Sequence, residues 1–420
     1  MRMSRFVLIP ALASSLCATA VAGASASGAV TVLASAPTGG GQADRESNGP
    51  VISGNGRFVA FQSMATNLAP GGADGIFVRD LRTRRTELVS VATGGAVGNG
   101  LSWAPSISAD GRYVAFQSRA TNLVPGDTNG VEDVFVRDRR TGRTERVSVA
   151  DDGSELTLYS QRPSISGDGR HVAFIAGSNT GQGAVLLRDR VAGRTTNVSA
   201  GYAGGGDWAE TPEVSTDGRF VVFMSYSDDI VPGDVNRVSD IFVHEVATGR
   251  NTLVSVGAGG PADFHSFLPS ISGNGRYVTF ITQSTNLVPG HTGLVSDLFV
   301  RDTAEGRTTL VSATADGVQA DEDSWDSAMD FSGRYIVYYT LATNLVPDAP
   351  GTQNVLLHDL WTGDTRLVPV GVGGARPDSW SASPSIDARG RRVAYSSGAT
   401  NLVAGDVNGV EDVFVTHLDR

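Results

Sequence analysis

Residues 105–118 read PSISADGRYVAFQS, and this stretch contains two short runs of β-forming residues around a turn. The second run, 113–118, alternates along its length and is rich in residues that favour strands. Asp110-Gly111 between the runs is a preferred pair for a two-residue hairpin turn, in which both residues adopt a positive φ. The stretch therefore predicts a tight antiparallel hairpin.

Two more strands are predicted downstream of this hairpin. A polar loop, NLVPGDTNGV at 122–131, is followed by a third run at 134–137 and a fourth at 144–149, with Gly142 in the turn between them. No helical periodicity separates the four runs. A single four-stranded sheet of this kind cannot bury both of its faces, so it needs neighbouring sheets to cover it, as in the blades of a β-propeller.

The unit recurs along the chain, and its Gly-Arg pair is the clearest marker. The pairs are spaced 49 to 58 residues apart and are Gly56-Arg57, Gly111-Arg112, Gly169-Arg170, Gly218-Arg219, Gly275-Arg276, Gly333-Arg334 and Gly390-Arg391. Pro stands six residues before the Gly in every unit except the sixth, where Ser327 replaces it. The sequence therefore predicts an all-β fold in which residues 27–420 form one seven-bladed β-propeller with four antiparallel strands per blade.

The two ends of the chain predict how the ring closes. The seventh unit stops at Arg420 after its third strand, whereas residues 31–40 align without gaps to residues 86–95, which contain the fourth strand of the first unit. We therefore expect the N-terminal strand to complete the last blade, with three strands from one end of the chain and one from the other. Closure of this kind protects edge strands that would otherwise pair with other chains.

The repeat P-S-I-S-x-D-G-R-Y-V-A-F-x-S, followed by D-V-F-V-R-D and T-x-L-V-S, resembles the TolB-type, WD-like β-propeller repeat over residues 29–420. The resemblance implies a propeller fold. Proteins with such repeats include TolB, a periplasmic partner of the peptidoglycan-associated lipoprotein, and the propellers of some oligopeptidases. This chain has neither the separate α/β domain and six repeats of TolB nor a hydrolase domain, so the resemblance does not transfer their functions.

Residues 1–26 have the features of a secretory signal peptide. Arg2 and Arg5 precede an apolar run that starts at Phe6, and residues 24–26 provide an A-x-A cleavage site. The only cysteine, Cys17, would be removed with this segment, so no disulfide is expected in the mature protein. We predict a protein that is secreted or located in the periplasm or cell envelope.

Composition limits the range of partners. The formal net charge is -11, which argues against nucleic acid, because phosphate binding requires a basic surface. No later segment has the roughly 18 consecutive apolar residues of a membrane span. The sequence therefore favours a monomer whose partner is a protein, a peptide or a cell-wall glycan.

Catalytic motifs are absent from the sequence. It contains neither the G-x-S-x-G nucleophile elbow nor the H-E-x-x-H zinc motif, and none of its six His residues pairs with another at metal-ligand spacing. These absences favour a non-catalytic protein. An envelope enzyme (a glycan lyase, lactonase or hydrolase) remains an alternative, with its carboxylates in the central channel.

The loop between the second and third strands carries a possible metal motif. Three blades share a D-x-N-x-x-x-D spacing, formed by Asp127, Asn129, Asp133, Asp234, Asn236, Asp240, Asp406, Asn408 and Asp412. Oxygen ligands in one short loop suit Ca²⁺, so calcium is the one cofactor that the sequence suggests, and a calcium-stabilised scaffold is a further alternative. The other interpretation is structural: Asp and Asn side chains can bond the backbone of their own turn.

The linkers between blades carry a second candidate site. Six linker aromatics lie two or four residues before the Pro position: Trp103, Tyr159, Trp208, Phe267, Trp325 and Trp380. Both offsets have the same parity, so in an extended segment the rings face one way. We expect them at the same end of the ring as the polar loops, among the acids Asp207, Glu210, Asp321, Glu322, Asp323, Asp326 and Asp378. They would bind a sugar or peptide, or else pack between blades.

The opposite end of the ring is predicted to carry the arginines of the Gly-Arg pairs. Acids such as Asp80 and Asp138 are close to them in the repeat. The sequence allows an end that docks to an anionic cell-wall polymer, but it favours internal pairing of these charges.

Overall fold

Four-stranded antiparallel sheets follow one another in the computed structural model, which describes residues 29–70, 72, 74–179, 183–201, 209–347 and 351–418. Five of the sheets are separate, and the third and fourth are joined into one by a single pairing of Gly183 with Ala209. The described strands thus form seven blades, as predicted. The predicted signal peptide, with Cys17, lies outside the described residues.

The first strand of each blade is innermost and lines the central channel. The first strands are Ser47–Ile52, Ser102–Ile107, Tyr159–Ile165, Ala209–Val214, Ser266–Ile271, Ser324–Met329 and Ser381–Ile386. The second strands are Phe58–Ser63, Tyr113–Ser118, His171–Gly177, Phe220–Ser225, Tyr277–Thr282, Tyr335–Thr340 and Arg392–Ser397.

The third and fourth strands lie progressively further from the channel. The third strands are Gly75–Asp80, Asp133–Asp138, Gly183–Asp189, Asp240–Glu245, Asp297–Asp302, Asn354–Asp359 and Asp412–His417. The fourth strands are Arg85–Leu88, Arg143–Arg146, Arg194–Asn197, Arg250–Leu253, Arg307–Leu310, Thr365–Leu367 and, in blade 7, Val30–Leu33. Two linkers add a small ribbon, Val256–Gly257 with Gly260–Pro261, and a 3₁₀ turn, Val372–Gly374.

Apolar residues of the second and third strands form the core between neighbouring blades. In blade 2, Phe116 and Phe135 are fully buried and stack with their ring centroids 5.9 Å apart. The same cluster contains Ala60, Ile76 and Val78 of blade 1. Each blade therefore buries one face against the blade before it and the other against the blade after it.

The ring closes by pairing the two ends of the chain, as the sequence predicts. Val30–Leu33 pairs antiparallel with Asp412–His417, and Val30 lies opposite His417. The hydroxyl of Ser35 donates to Oδ1 of Asp412 at 2.5 Å and accepts from the N–H of Val413 at 3.0 Å. The innermost strands of blades 7 and 1 are in contact, as are those of every other adjacent pair, so the ring is continuous.

The Asp-Gly turn differs from the turn that the sequence suggests. Gly111 has a φ of 76°, whereas Asp110 does not have a positive φ. The Asp110 carboxylate instead accepts hydrogen bonds from the Ser108 hydroxyl and the Arg112 N–H, both at 2.8 Å. Gly111 is needed here for a second reason, because a Cβ at this position would lie 2.1 Å from the Phe58 ring of the preceding blade.

Every innermost strand contains a bulge at the residue before the Pro position. These residues have a left-handed backbone and are Gly49, Ala104, Arg162, Thr211, Leu268, Asp326 and Ser383. The register between the first and second strands shifts at this point, as between Trp103 and Ser106 in blade 2. A bulge redirects side chains locally. Here, it places Arg162 and Asp326, which the repeat pattern alone does not single out, on the channel wall.

The end that carries the Gly-Arg turns, called the hairpin end below, has internally paired charges. Arg57 donates two hydrogen bonds to the Asp80 carboxylate, at 3.0 and 2.5 Å, and Arg112 binds Asp138 in the same way. These pairs hold the pKa of both Asp80 and Asp138 well below the usual range of a carboxyl. The end is therefore a network of ion pairs, as the sequence favoured, and the arginines of six of the seven Gly-Arg pairs bind a carboxylate.

Closure can be tested with a disulfide. Thr31 and Thr416 are cross-strand neighbours whose hydroxyl oxygens lie 3.0 Å apart, which suits a bridge between the two ends of the chain. In a Cys17→Ser background, we expect oxidised T31C/T416C to gain about 2–4 kcal/mol in the free energy of unfolding over its reduced form. Thermal melts with and without reductant measure the gain, and T31C alone is the control. Equal stability of the oxidised and reduced forms would contradict the pairing.

Candidate functional site

The linkers and the loops between second and third strands lie at the same end of the ring, called the linker end below. In blade 2, the side-chain oxygen of Asn99 accepts a hydrogen bond from the backbone N–H of Thr121 at 2.8 Å. The backbone N–H of Asn99 donates to the side-chain oxygen of Asn122 at 2.9 Å. Asp321 and Asp378 make the equivalent bonds in blades 6 and 7. These two acids, which the sequence offered for ligand binding, are therefore already occupied in holding linkers to loops.

The linker aromatics share a half-buried position but have different neighbours. Phe267 packs against two hydrophobic clusters, which join blades 4 and 5 and blades 5 and 6. Trp325 stacks on Tyr339 of its own blade at 5.6 Å. Tyr159 begins its innermost strand, and Trp380 immediately precedes one. Trp208 lies outside the described residues, so only five of the six predicted aromatics can be placed.

Trp103 forms the wall of a cavity of about 400 Å³ between blades 2 and 3, called the Trp103 pocket below. The cavity is lined by Trp103, Ala104, Gln117, Glu132, Gln161, Arg162 and Asn179. The guanidinium of Arg119 lies 5.4 Å from the Trp103 ring centroid. The pocket thus combines an aromatic face with several amide groups and a guanidinium.

Glu132 organises the polar side of the Trp103 pocket. It is only 3% exposed, and its Oε1 accepts two hydrogen bonds from Arg119, at 2.9 and 2.7 Å. Its Oε2 accepts from Nε2 of Gln161 at 2.7 Å and of Gln117 at 3.4 Å. A buried carboxylate with this many donors fixes their orientation, so the pocket is preorganised.

Glu132 was not predicted as a site residue, although a repeated sequence motif marks its position. The run V-E-D-V-F occurs only in blades 2 and 7, at 131–135 and 410–414. Glu411 of blade 7 is half-buried, and burial raises its pKa, whereas hydrogen bonds with Ser396 and Asn48 lower it. The repeated motif therefore marks two polar contacts between blades, of which the one in blade 2 lines the Trp103 pocket.

Arg162 connects the Trp103 pocket to the central channel. It lies at the left-handed bulge of blade 3, with a φ of 51°, and lines both cavities. The channel cavity has a volume of about 510 Å³ and is lined by all seven innermost strands. Burial raises the pKa of Asp326 on blade 6, while the positive charge of Arg162 lowers it. The two charges therefore interact across the channel.

Glu213 is the other acid of the channel wall, and burial raises its pKa to about 7. Its place in the repeat explains what it does. At the same position, the hydroxyls of Ser106, Ser164 and Ser385 each accept a hydrogen bond from a backbone N–H of the next blade. The carboxyl group of Glu213 takes this position in blade 4, and the Ser270 hydroxyl and the Ile271 N–H of blade 5 lower its pKa against the effect of burial. Its position makes Glu213 the counterpart of the serine latches, between blades 4 and 5.

The three predicted metal loops share one hydrogen-bond pattern. The Asn side chain donates to Oδ2 of the strand acid, at 2.9 Å from Asn129 to Asp133 and at 2.6 Å from Asn236 to Asp240. Asn408 and Asp412 repeat this bond at 2.7 Å. Each Asn also donates to a backbone carbonyl group of the linker. These bonds fit the structural interpretation of the motif, and calcium remains a prediction.

The carboxyl groups of these loops are buried, which raises their pKa values. Burial, reinforced by the charge of Asp133, raises the pKa of Asp127 to about 6, and burial with Asp240 nearby raises that of Asp234 to about 7. Burial also raises the pKa of Asp412 to about 6. Among the described residues, no three His, Cys, Asp or Glu side chains form a metal cluster. An ion here would need oxygens from amides, carbonyl groups or water.

Comparison with known proteins confirms the fold. The propeller domain of the trilobed protease from Pyrococcus furiosus matches with 14% identity and a TM-score of 0.54, covering 88% of this chain and 94% of that domain. The oligogalacturonate lyase from Vibrio parahaemolyticus matches with 12% identity and a TM-score of 0.54, covering 90% of each chain. At such low identity, these likenesses concern the fold alone.

TolB from Acinetobacter baumannii is also similar in structure, with 15% identity, a TM-score of 0.44 and coverage of 75% of this chain and 64% of TolB. The two propellers with TM-scores above 0.5 confirm the propeller fold that the resemblance implies. No protein-family model matches the chain, and no curated protein matches it significantly. Within the described ranges, none of the helical structure is long and apolar enough to cross a membrane.

The raised pKa of Glu213 predicts a pH-dependent stability. An unfolded glutamate has a pKa of about 4.3, so the native state binds this proton more tightly. The resulting stabilisation is complete below about pH 4 and is lost as the pH rises through about 7. We expect Glu213→Gln, which keeps an acceptor for Ile271 but stays neutral, to raise the free energy of unfolding by about 1–3 kcal/mol at pH 8.

The gain from Glu213→Gln should shrink steadily between pH 8 and pH 4, and denaturant melts across this range measure it. Glu210→Gln, a change on the same strand, is the control and should show no such trend. A difference between Glu213→Gln and wild type that is constant with pH would contradict the burial of this charge.

Proposed function

We propose that this protein is an exported, non-catalytic binding protein that takes a ligand at its linker end, in the Trp103 pocket. The observation that carries the proposal is the position of the Trp103 ring beside the amides that Glu132 orients. Arg162, an exposed residue at the channel wall, adds a positive charge on the same side. Export is proposed on the signal-like residues 1–26.

A glycan suits this pocket better than an extended peptide. A sugar ring presents an apolar face that stacks on an aromatic ring, and its hydroxyl groups take hydrogen bonds from neighbouring amides. Gln161 and Asn179 supply amides beside Trp103, and Arg162 suits an acidic group on the same ligand. Gln117 supports the wall, because its oxygen accepts from the N–H of Arg162 at 2.6 Å and its nitrogen donates to Glu132. Each innermost strand pairs with the second strand of its blade along one edge and faces the channel with the other. A peptide would therefore find no free strand edge at the pocket.

A non-catalytic role is supported by the roles of the buried acids. Glu132 is fully engaged with Arg119 and two amides, and Glu213 serves as a latch between blades. Asp326 interacts with Arg162 rather than with a second acid. None of these carboxylates is paired with another in the way that acid–base hydrolysis of a glycan requires.

Retention on cell-wall material tests the proposed function. We expect the wild-type protein to be retained saturably by purified peptidoglycan sacculi, and Trp103→Ala to weaken this retention at least tenfold through loss of the stacking surface. Trp361→Ala is a matched control, because Trp361 also stacks on an arginine, Arg334, but is 66% exposed and lies at the hairpin end. Co-sedimentation gives the retained fraction, and circular dichroism checks the fold.

Soluble fragments separate the possible ligands. Competition by glycan strands stripped of peptide supports a glycan, whereas competition by stem peptides alone would replace the glycan with a peptide. Equal loss of retention in the Trp103 and Trp361 variants would contradict a site at the linker end. Release of soluble sugar from the sacculi during incubation would contradict the non-catalytic role.

A further inference from the structure

Four blades keep an acid at the first residue of the third strand. These acids are Asp133, Asp240, Asp297 and Asp412, and each is at most 1% exposed. In each case a serine hydroxyl of the same blade donates to Oδ1, as Ser148 does to Asp133 at 2.5 Å and Ser255 does to Asp240. The remaining oxygen, Oδ2, faces the loop between the second and third strands. A buried carboxylate of this kind needs a compensating positive charge or donors.

In blade 2, an arginine of the same blade supplies the positive charge. Arg146, the last residue of the fourth strand, places Nη1 3.3 Å from Oδ2 of Asp133 and 3.4 Å from Oδ1 of Asp127. The same nitrogen lies 2.7 Å from Glu155. A cationic nitrogen thus occupies the centre of the carboxylate group in this blade.

In blade 5, a histidine lies next to the buried strand acid. His291 stands in place of the first Asp of the motif, and its Nε2 lies 2.9 Å from Oδ2 of Asp297. Its Nδ1 lies 2.8 Å from the carbonyl oxygen of Ser284. Both ring nitrogens therefore lie within hydrogen-bond distance of an oxygen. A basic side chain again occupies the space next to the strand acid.

Blade 4 has the acids but not the cation. Leu253 is the last residue of its fourth strand, in the place of Arg146. Asp234 is 5% exposed, and its Oδ1 has no hydrogen-bond partner. In the described part of the chain, no ion pair reaches Asp234 or Asp240. Burial and the charge of Asp228 raise the pKa of Asp240, whereas the exposed side chain of His265 lowers it.

We propose that blade 4 binds one divalent cation, Ca²⁺, between Asp234 and Asp240, in the place that Arg146 and His291 fill in blades 2 and 5. The unpartnered oxygen of Asp234 and Oδ2 of Asp240 are the anionic ligands. The carbonyl oxygen of Ala262, which now accepts a hydrogen bond from Nδ2 of Asn236 at 2.9 Å, provides a further oxygen. Nδ2 of Asn236 also donates to Oδ2 of Asp240 at 2.6 Å, so the ion would replace this amide as the partner of Asp240. A set made only of oxygens on an exposed loop suits Ca²⁺ better than Mg²⁺, which demands a stricter octahedron.

The proposal is narrower than the sequence motif. D-x-N-x-x-x-D does not distinguish blade 2 from blade 4, whereas the side chain at position 146 or 253 does. Blade 7 also lacks the arginine, but there Nε2 of Gln42 donates to Oδ1 of Asp406 at 2.8 Å, so that oxygen has a partner. The unpartnered acid with no protein cation therefore belongs to blade 4.

Calorimetric titration of CaCl₂ into the chelator-stripped full-length protein tests the site. We expect a dissociation constant of about 10⁻⁵ to 10⁻³ M, the range of sensor and extracellular calcium sites. Asp234→Asn should weaken this binding more than tenfold. Asp127→Asn, the matched change in blade 2, should leave it unchanged because Arg146 already occupies that group.

A second variant guards against misfolding. Leu253→Arg copies the blade 2 arrangement into blade 4, so it should abolish the titration at this site and make the melting temperature insensitive to EDTA. Absence of calcium binding in the wild-type protein would overturn the proposal, and so would binding that survives both Asp234→Asn and Leu253→Arg. An equal loss in Asp127→Asn would also overturn it. A melting temperature that ignores Ca²⁺ but rises as the pH falls below 7 would show that a proton, not a metal, neutralises the group.

Discussion

No blade of this protein can bury both of its own faces, and this constraint governs the ring. Each four-stranded sheet relies on the blade before and the blade after it, as the shared cluster around Phe116 and Phe135 illustrates. A row of such sheets would leave two apolar faces uncovered at its ends. The pairing of Val30–Leu33 with Asp412–His417 removes both at once, so the most distant parts of the sequence form one blade.

Repetition makes the exceptions informative. Seven copies of one unit provide an internal comparison, in which a position occupied by the same residue in most blades is structural. Glu213 replaces a serine latch, and Arg146 of blade 2 stands where five of the seven blades, blade 4 with Leu253 among them, have leucine. Glu132 recurs only as Glu411. Each departure changes the local charge inside a scaffold that is otherwise constant, which is where ligand chemistry is to be sought.

The sequence was sufficient to predict the architecture but not the environment of each side chain. Strand number, closure and the position of the linkers follow from periodicity, because a blade is a local unit. The bulges before the Pro position were not predicted. Asp326 and Arg162 reach the channel wall only because their backbone is left-handed, so their position was not predicted either. The turn at Asp110 was predicted with the wrong backbone, because the side chain of Ser108 supplies a bond that a dipeptide rule does not contain.

The linker aromatics show the same limit. Their common parity predicts one side of the strand for all of them, yet Phe267 is covered by the cores of two interfaces while Trp103 faces a cavity. The difference lies in Gln161 of the neighbouring blade and Glu132 of the same blade, which keep the space beside Trp103 polar. Contacts between units that are far apart in the chain cannot be deduced from the unit itself.

The antiparallel pairing in blade 7 also fixes where the chain enters and leaves. Because Val30 lies opposite His417, both of these residues lie at the hairpin end, where the described chain enters and leaves the ring. Any attachment made through either terminus would hold the ring by that face and leave the Trp103 pocket pointing away from the anchor. A pulling force applied between the two termini would separate the paired strands Val30–Leu33 and Asp412–His417 one residue pair at a time, instead of breaking all their hydrogen bonds together.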